Sequence, residues 1–302
     1  MKLLACTLLL LSIACRPGGA DHEHLGDAAL EKGDAPTALA EYEAAVVAQP
    51  GARIYAKEAG AAVRAHSLKE AAEAYRNLVA DDPSRLDEAA IGLDLVATAA
   101  ERAGDPNALV AALSALRDIA PDRLAGRHAL ALWRMGGLDP QEAQMVLPYA
   151  AAAAPDAGVA DSVLTSYGEA LASTTACDQA MRAFQGVERR SHVAGLLARA
   201  DSGIAACGLL LGHQALTVNQ PWVAEKWFLA VLAADSSGAG ARRARLGLGD
   251  LRLTEGDVLG AALMYQQVVA TGASGDSLGT LAAQKLNALA GQSGDSGPAK
   301  KP

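Results

Sequence analysis

Few side chains in this chain have the type and spacing that catalysis or metal binding requires. His22 and His24 flank Glu23, but two histidines at positions i and i+2 of a helix point to different faces. The other histidines are isolated in sequence, and no Gly-x-Ser-x-Gly elbow, Cys/His signature or phosphate-binding loop occurs. We therefore interpret residues 22–24 as part of a solvated helix, and we predict no enzyme activity, no metal site and no cofactor.

Cys177 and Cys207 form the second candidate for chemistry. A helix that begins near Cys177 is expected to turn over near residues 190–192, with a long helix following from about Val193 to Leu216. In an antiparallel hairpin centred on residue 192 the two cysteines lie at the same height, so the spacing predicts a disulfide. Closing that loop would stabilise the fold by about 3–4 kcal/mol. The alternative is two separately buried free thiols.

The elements that position these residues follow a repeat. An Ala precedes an aromatic ring by four residues at Ala38/Tyr42, Ala71/Tyr75, Ala180/Phe184, Ala224/Phe228 and Ala261/Tyr265. Twelve residues before each of these alanines stand Gly26, Ala59, Gly168, Gly212 and Gly249. Small residues let two helices approach each other, and the ring fills the space that remains between them. The spacing predicts a series of helix hairpins that share one kind of seam.

The second helix of each hairpin has its own start signal. Candidate N-cap residues precede the small residue at Asp34, Ser67, Asp105, Asp139, Thr175, Asn219 and Asp257. Two of them reveal hairpins in which Leu113 and Leu147 replace the ring. Prolines mark the far ends of the first four hairpins, at Pro50, Pro83, Pro121 and Pro155. The pattern predicts seven hairpins, followed by an amphipathic helix over 277–289 that caps the open end.

Three of these hairpins resemble the tetratricopeptide repeat (TPR). The matching residues are Leu25-Gly26, Gly33-Asp34, Ala38, Tyr42, Ala45 and Pro50 in the first; Leu211-Gly212, Ala224 and Phe228 in the sixth; and Leu248-Gly249, Gly256-Asp257, Ala261 and Tyr265 in the seventh. The resemblance covers about residues 19–272 and implies an all-α fold, an α-solenoid of about seven TPR-like helix hairpins plus a C-terminal capping helix.

The same resemblance implies a partner-binding groove along the first helices. The family's groove positions fall on Glu23, Asp27, Glu31, Arg53, Arg64, His128, Glu169, His213, Arg243 and Asp250. The Lys/Asn clamp with which some TPR proteins hold a terminal carboxylate does not occur at these positions. A solvated charged face is the alternative interpretation for each residue taken singly.

The charge balance limits the class of partner. The chain has 26 basic and 34 acidic side chains and no basic stripe. Nucleic acid requires clustered Lys and Arg, so we predict no nucleic-acid partner. Only 4% of the residues are aromatic, which is typical of many thin helix-on-helix contacts.

The N-terminus predicts export. Lys2 precedes an apolar run, Leu3–Ala14, that is too short to span a bilayer and has the length of a signal-peptide core. The segment from Leu11 to Cys15 resembles the lipobox of bacterial lipoproteins, which implies that Cys15 becomes lipidated. The domains predicted are a lipoprotein signal peptide at 1–14, a lipidated tether at 15–21, the solenoid at 22–290 and a disordered tail at 291–302.

These observations favour a membrane-anchored TPR scaffold or assembly lipoprotein that binds other envelope proteins or peptides. Arg16 directly after the cysteine implies, by the enterobacterial sorting rule, an outer-membrane location facing the periplasm. One alternative is a peptidoglycan- or carbohydrate-binding helical protein, for which the three tryptophans would be the sugar platforms. Another is a soluble periplasmic TPR protein whose Cys15 is not acylated.

Overall fold

The computed structural model describes residues 18–272 and 276–294, with side chains described up to residue 290. This part of the chain contains 15 α-helices and no strand. They are α1 Gly19–Glu31, α2 Ala35–Ala48, α3 Ala52–Arg64, α4 Leu68–Asp81, α5 Leu86–Ala103, α6 Pro106–Ile119, α7 Gly126–Met135, α8 Pro140–Ala152, α9 Ala157–Ser173, α10 Cys177–Glu188, α11 Ala194–Thr217, α12 Pro221–Ala234, α13 Ala239–Thr254, α14 Val258–Ala270 and α15 Ser277–Gly294. Short 3-10 turns at Pro83–Arg85 and Pro121–Arg123 precede α5 and α7.

The helices follow the order of the seven predicted hairpins, from α1/α2 to α13/α14, and α15 packs against α14. The all-α fold of TPR-like hairpins with a final helix is therefore confirmed. Helix α1 begins at Gly19, within the stretch interpreted as a tether, and α15 extends to Gly294, within the stretch interpreted as a tail. The signal peptide and Cys15 lie outside the described residues.

The chain divides into two compact units, at residues 1–128 and 129–302. In the first unit, helices α1 to α6 pack each against the next or the next but one. In the second unit, first helices also pack directly on each other, since α11 contacts both α9 and α13.

The repeated seam is built from rings between small residues. Tyr42, Phe184, Phe228 and Tyr265 are fully buried. A β-carbon at Gly168, on the first helix of the same hairpin, would lie 2.6 Å from the Phe184 ring. A β-carbon at Gly203, on the first helix of the next hairpin, would lie 2.2 Å from the opposite edge of that ring. The Phe184 ring therefore needs small residues on two hairpins and joins them, as does the Phe228 ring between Gly212 and Gly247.

The predicted start signals are only partly correct. Asp34, Asp105, Asp139 and Asp257 accept backbone hydrogen bonds from the first turn of their helices. Ser67 makes no side-chain capping bond. Thr175 and Asn219 are not N-caps: they adopt left-handed backbone with φ of 61° and 55°. They stand where Gly33, Gly104 and Gly256 end other first helices, so they terminate the preceding helix and do not start the next one.

Helix α11 is long and apolar enough, by length and composition, to cross a membrane, and it is the one helix among the described residues that meets those criteria. In the structure it is the first helix of the sixth hairpin. Cys207 on α11 is joined to Cys177 on α10 by a disulfide. The apolar side of α11 packs against α10 and α12, with Ile204 and Leu211 buried.

Candidate partner-binding site on the first helices

The first helices carry the predicted groove residues, and the structure shows which of them have partners. In the first unit the buried carboxylate of Glu23 accepts a hydrogen bond from Arg53 and lies 2.8 Å from Lys57 Nζ. Asp27, one turn further along α1, accepts from Lys57 Nζ and from the Tyr42 hydroxyl, both at 2.7 Å. These residues form one network that ties α1 and α2 to α3. We name Asp27, Tyr42 and Lys57 the first-unit triad.

The electrostatics of the first-unit triad follow from its hydrogen bonds. Burial raises the pKa of Asp27, but hydrogen bonds from Lys57 and Tyr42 outweigh it and hold the pKa below its ordinary value. Burial, followed by the hydrogen bond to Asp27, raises the pKa of the Tyr42 hydroxyl. Asp27 is therefore a carboxylate acceptor, and Tyr42 a neutral donor, at neutral pH.

Helix α13, the first helix of the seventh hairpin, repeats this arrangement. The Tyr265 hydroxyl donates to Asp250 at 2.6 Å, and Lys285 Nζ on α15 donates to the same carboxylate oxygen at 2.7 Å. The two lysines also lie over the rings, with Lys57 Nζ 6.0 Å from the Tyr42 centroid and Lys285 Nζ 5.7 Å from the Tyr265 centroid. We name Asp250, Tyr265 and Lys285 the second-unit triad.

His128 is buried, which the groove prediction did not anticipate. Its Nδ1 contacts Glu101 Oε1, and its Nε2 lies 3.0 Å from Asp94 Oδ1. The neighbouring Arg127 donates to both oxygens of Asp94 at 2.9 Å. His128 is thus a packed part of the first unit and not a free contact for a partner.

The other groove positions of the second unit are exposed. Glu169 accepts two hydrogen bonds from Arg199, at 2.7 and 2.6 Å, which is the bidentate geometry of a strong ion pair. His213 packs edge-on against Phe228, with ring centroids 5.5 Å apart. Arg243 on α13 is exposed, as are Glu31 and Arg64 on the first helices of the first unit.

The prediction missed the partners of the groove charges. Lys57 and Arg199 lie on the next first helix, and Lys285 lies on the capping helix; each binds the carboxylate that follows the matched glycine. Lys57 stands 30 residues after Asp27, and Arg199 stands 30 residues after Glu169. Opposite charges separated by nearly one repeat length are a signal that the sequence contained. The structure brings Glu23, Asp27 and Arg53 together, and among the described residues no hydrogen bond or ion pair joins the remaining predicted positions to one another.

Two of the cavities beside the first helices of the second unit lie at the loop that joins the two helices of a hairpin. One, of about 350 Å³, lies between the α7–α8 loop and α9, and Trp133, Leu138, Pro140, Glu169 and Ser173 are among its lining residues. We name it the Trp133 cavity. Trp133 Nε1 donates to Ser166 Oγ at 3.3 Å across it.

The second cavity, of about 310 Å³, lies between the α11–α12 loop and α13. It is lined by Leu216, Asn219, Gln220, Pro221, Asp250, Thr254 and Glu255. We name it the Asn219 cavity. No group of three or more His, Cys, Asp or Glu side chains within the described residues is arranged to hold a metal ion.

Among known proteins, this chain is similar to solved structures but not to any sequence family. No protein-family model and no curated protein sequence matches this chain. Yeast Tom70 is similar with a TM-score of 0.35 and 14% identity, over 91% of this chain and 54% of that chain. The present chain thus spans about half the length of Tom70.

A thermophilic TPR protein from Thermus thermophilus is similar with a TM-score of 0.27 and 15% identity, over 89% of this chain and 100% of that one. A tetratricopeptide repeat protein from Parabacteroides merdae is similar with a TM-score of 0.27 and 12% identity, over 90% of this chain and 98% of that chain. These similarities are too low to assign a function, and the TPR-type fold rests here on the hairpins and their ring seams.

Proposed function

We propose that this protein is an exported, lipid-anchored scaffold that binds other envelope proteins along its first helices, and that it acts by binding and not by catalysis. The observation that supports the binding face is the charge pairing between successive first helices. Asp27 with Lys57 and Glu169 with Arg199 hold side chains of neighbouring hairpins in one arrangement before any partner arrives. Because these side chains are already ordered, less conformational entropy is lost when a partner binds.

The anchor part of the proposal rests on the sequence of the N-terminus. The apolar run Leu3–Ala14 followed by Cys15 supports export and acylation. Because one fatty chain binds a membrane only marginally, the two or more chains of a bacterial lipoprotein would be needed for stable attachment. Replacement of Cys15 by Ala should release the protein from the membrane fraction of lysed cells. A C15A protein that stays in the membrane fraction contradicts the anchor.

The binding part is tested by site-specific photo-crosslinking in intact cells. A photoreactive residue at the exposed groove position Arg64 or Arg243 should capture the same distinct polypeptides repeatedly. Matched controls are the exposed second-helix positions Lys69, on α4, and Lys226, on α12. Equal capture from groove and control positions, or no capture from either, contradicts a first-helix binding face.

A second candidate function, sugar binding, is favoured by one observation. Trp133 lines a cavity together with Ser166, Ser173 and Glu169, a combination of a ring, hydroxyls and a carboxylate that a saccharide could use. The other two tryptophans lie elsewhere: Trp222 is 72% exposed on α12, and Trp227 lies under Lys226. Co-sedimentation of the purified protein with purified sacculi, lost on Trp133→Ala, would favour this candidate over the scaffold.

A further inference from the structure

The Trp133 cavity and the Asn219 cavity occupy the same place in hairpins two repeats apart. Pro140 and Pro221 begin the second helices that border them. Glu169 and Asp250 stand at one matching position of the following first helix, and Ser173 and Thr254 stand one turn later. In each of these three pairs, the two residues are the same number of positions apart in the sequence. The cavities are thus one recurring feature of the fold.

The carboxylates of both cavities already have basic partners. Glu169 is held by Arg199, and Asp250 is held by Lys285 and Tyr265. Glu255, which also lines the Asn219 cavity, accepts a hydrogen bond from Arg252 at 3.0 Å. A cationic side chain entering either cavity would compete with an existing ion pair, and an anionic one would meet a carboxylate. Charge complementarity therefore favours an uncharged side chain.

The size and walls of the cavities favour a large apolar side chain. Volumes of about 350 and 310 Å³ lie at the lower limit of small-molecule pockets, which run from about 300 to 1,000 Å³. Trp133, Leu138 and Leu147 line the first, and Leu216 and Pro221 line the second. One aliphatic or aromatic side chain buried in each cavity would have its apolar surface removed from water, which favours binding.

The rims offer hydrogen-bond acceptors for a main chain. Ser173 Oγ donates to Ala170 O at 2.8 Å, and Thr254 Oγ1 donates to Leu251 O at 2.7 Å. Both hydroxyl oxygens keep lone pairs that can accept a hydrogen bond from an N–H group. Asn219 and Gln220, at the rim of the second cavity, have side-chain amides that can both donate and accept.

We propose that the second unit binds an extended polypeptide segment that places one large apolar side chain in the Trp133 cavity and another in the Asn219 cavity. This inference rests on the proposed protein-binding function and names the chemistry of its partner. Helix α11 packs between α9 and α13, so the two cavities are two first-helix steps apart. Packed helices lie about 8–10 Å apart, so the two cavities are about 20 Å apart. An extended chain covers that distance in about six residues.

The test uses synthetic fluorescein-labelled peptides of 14 residues and the full chain in detergent. One peptide carries Phe at positions i and i+6 in a Gly/Ser/Asn background, a second carries a single Phe, and a third carries Phe at i and i+3. We expect the i, i+6 peptide to bind about ten-fold more tightly than either of the others by fluorescence anisotropy, because only it can fill both cavities. Equal affinities for the three peptides would overturn the proposal.

Cavity-filling variants locate the binding. Ser173→Trp and Thr254→Trp replace exposed rim residues and should each reduce the affinity of the i, i+6 peptide about ten-fold, to that of the single-Phe peptide. Thr217→Trp is the matched control, because Thr217 is exposed at the same position of α11 and lines neither cavity. Thermal unfolding verifies that all three variants fold. Unchanged affinity in both filling variants, or binding of a muramyl disaccharide in place of the peptides, contradicts the proposal.

The two proposals fail in different ways. If the filled variants give the same cellular crosslinks as the unmodified protein, the cavity proposal is wrong while the scaffold stands. If groove positions capture no polypeptide in cells, the scaffold is wrong whatever the peptide affinities are.

Discussion

The Phe184 ring lies so close to Gly203 that a β-carbon on residue 203 would stand 2.2 Å from its Cε2 atom. These two residues belong to consecutive hairpins, on α10 and α11. The contact therefore makes the packing of one hairpin depend on a missing side chain in the next.

We predict that Gly203→Ala destabilises the second unit by about 1–3 kcal/mol, because the methyl group forces the ring or the helix to move. Gly186→Ala is the matched control. A β-carbon at Gly186 on α10 would meet no atom within 4 Å, so this change should be neutral or stabilise by up to about 1 kcal/mol. Urea unfolding followed by circular dichroism measures both. In the double variant with Phe184→Leu, the cost should fall below the sum of the single changes; strict additivity would argue against the contact.

The tyrosine hydroxyls give a second prediction. Tyr42→Phe removes the 2.7 Å hydrogen bond to Asp27, and Tyr265→Phe removes the 2.6 Å bond to Asp250. Each change should lower the free energy of unfolding by about 1–3 kcal/mol, since the lost bond has a charged acceptor.

Tyr75→Phe is the control for both tyrosine variants. Tyr75 occupies the same position in the second hairpin, but its hydroxyl makes no hydrogen bond within the part of the chain that the structure describes. Its replacement should change stability by less than about 0.5 kcal/mol. Equal losses for the three tyrosines would show that the hydrogen bonds to Asp27 and Asp250 do not determine the cost of removing the hydroxyl.

The disulfide between Cys177 and Cys207 predicts a redox-dependent stability. The bridge closes a segment with a sequence separation of 30 between α10 and α11. Reduction should lower the free energy of unfolding by about 3–4 kcal/mol on the chain-entropy estimate. The C177A/C207A variant should unfold at the same denaturant concentration with and without dithiothreitol. A dithiothreitol effect that persists in this variant would place its origin elsewhere.

Glu58 predicts a dependence of stability on pH. Burial, and then the charges of Glu43 and Glu73, raise the pKa of Glu58 from its ordinary 4.5 to about 7. The native state therefore binds this proton more tightly than the unfolded state does. The stabilisation is complete below the unfolded-state pKa of about 4.5 and is lost as the pH rises through about 7.

Glu58→Gln should remove this loss, so the variant should be more stable than the unmodified protein at about pH 8, by on the order of 1 kcal/mol after solvent screening. At about pH 5 the two proteins should differ little. Glu31→Gln, at an exposed position of α1, is the control and should not alter the pH profile. An unchanged profile in Glu58→Gln would show that the carboxyl group is more hydrated than its place between α2 and α4 indicates.

The repeated seam could be predicted because it depends on local spacing. Gly168, Ala180 and Phe184 recur at the same intervals as in other hairpins, and helix geometry fixes which of them meet. The second wall of the seam was missed, although Gly203 follows Phe184 by the same interval at which Gly247 follows Phe228. Gly92 follows Tyr75 at a shorter interval, so the spacing to the next hairpin varies and the contact itself depends on tertiary packing.

The groove positions show the same limit. The pattern identified Asp27, Glu169 and Asp250 by their offset from a glycine, but it could not show that each is already paired across hairpins. His128 fits the pattern and is nevertheless buried, because Glu101 and Asp94 surround it with acceptors. Thr175 and Asn219 resembled N-caps because their side chains suit that role, whereas the backbone uses them to end a helix.

A ring shared between two hairpins also changes what counts as a module. Phe184 and Phe228 each need a glycine on their own hairpin and another on the next, at Gly203 and Gly247 respectively. A piece excised from α10 through α11 would carry one joint, the Phe184 ring and its second glycine, Gly203. The α9 helix left behind would then offer Gly168 to the next ring, Phe228. The length of such a protein could therefore change during evolution by whole joints, without redesign of the surfaces left behind.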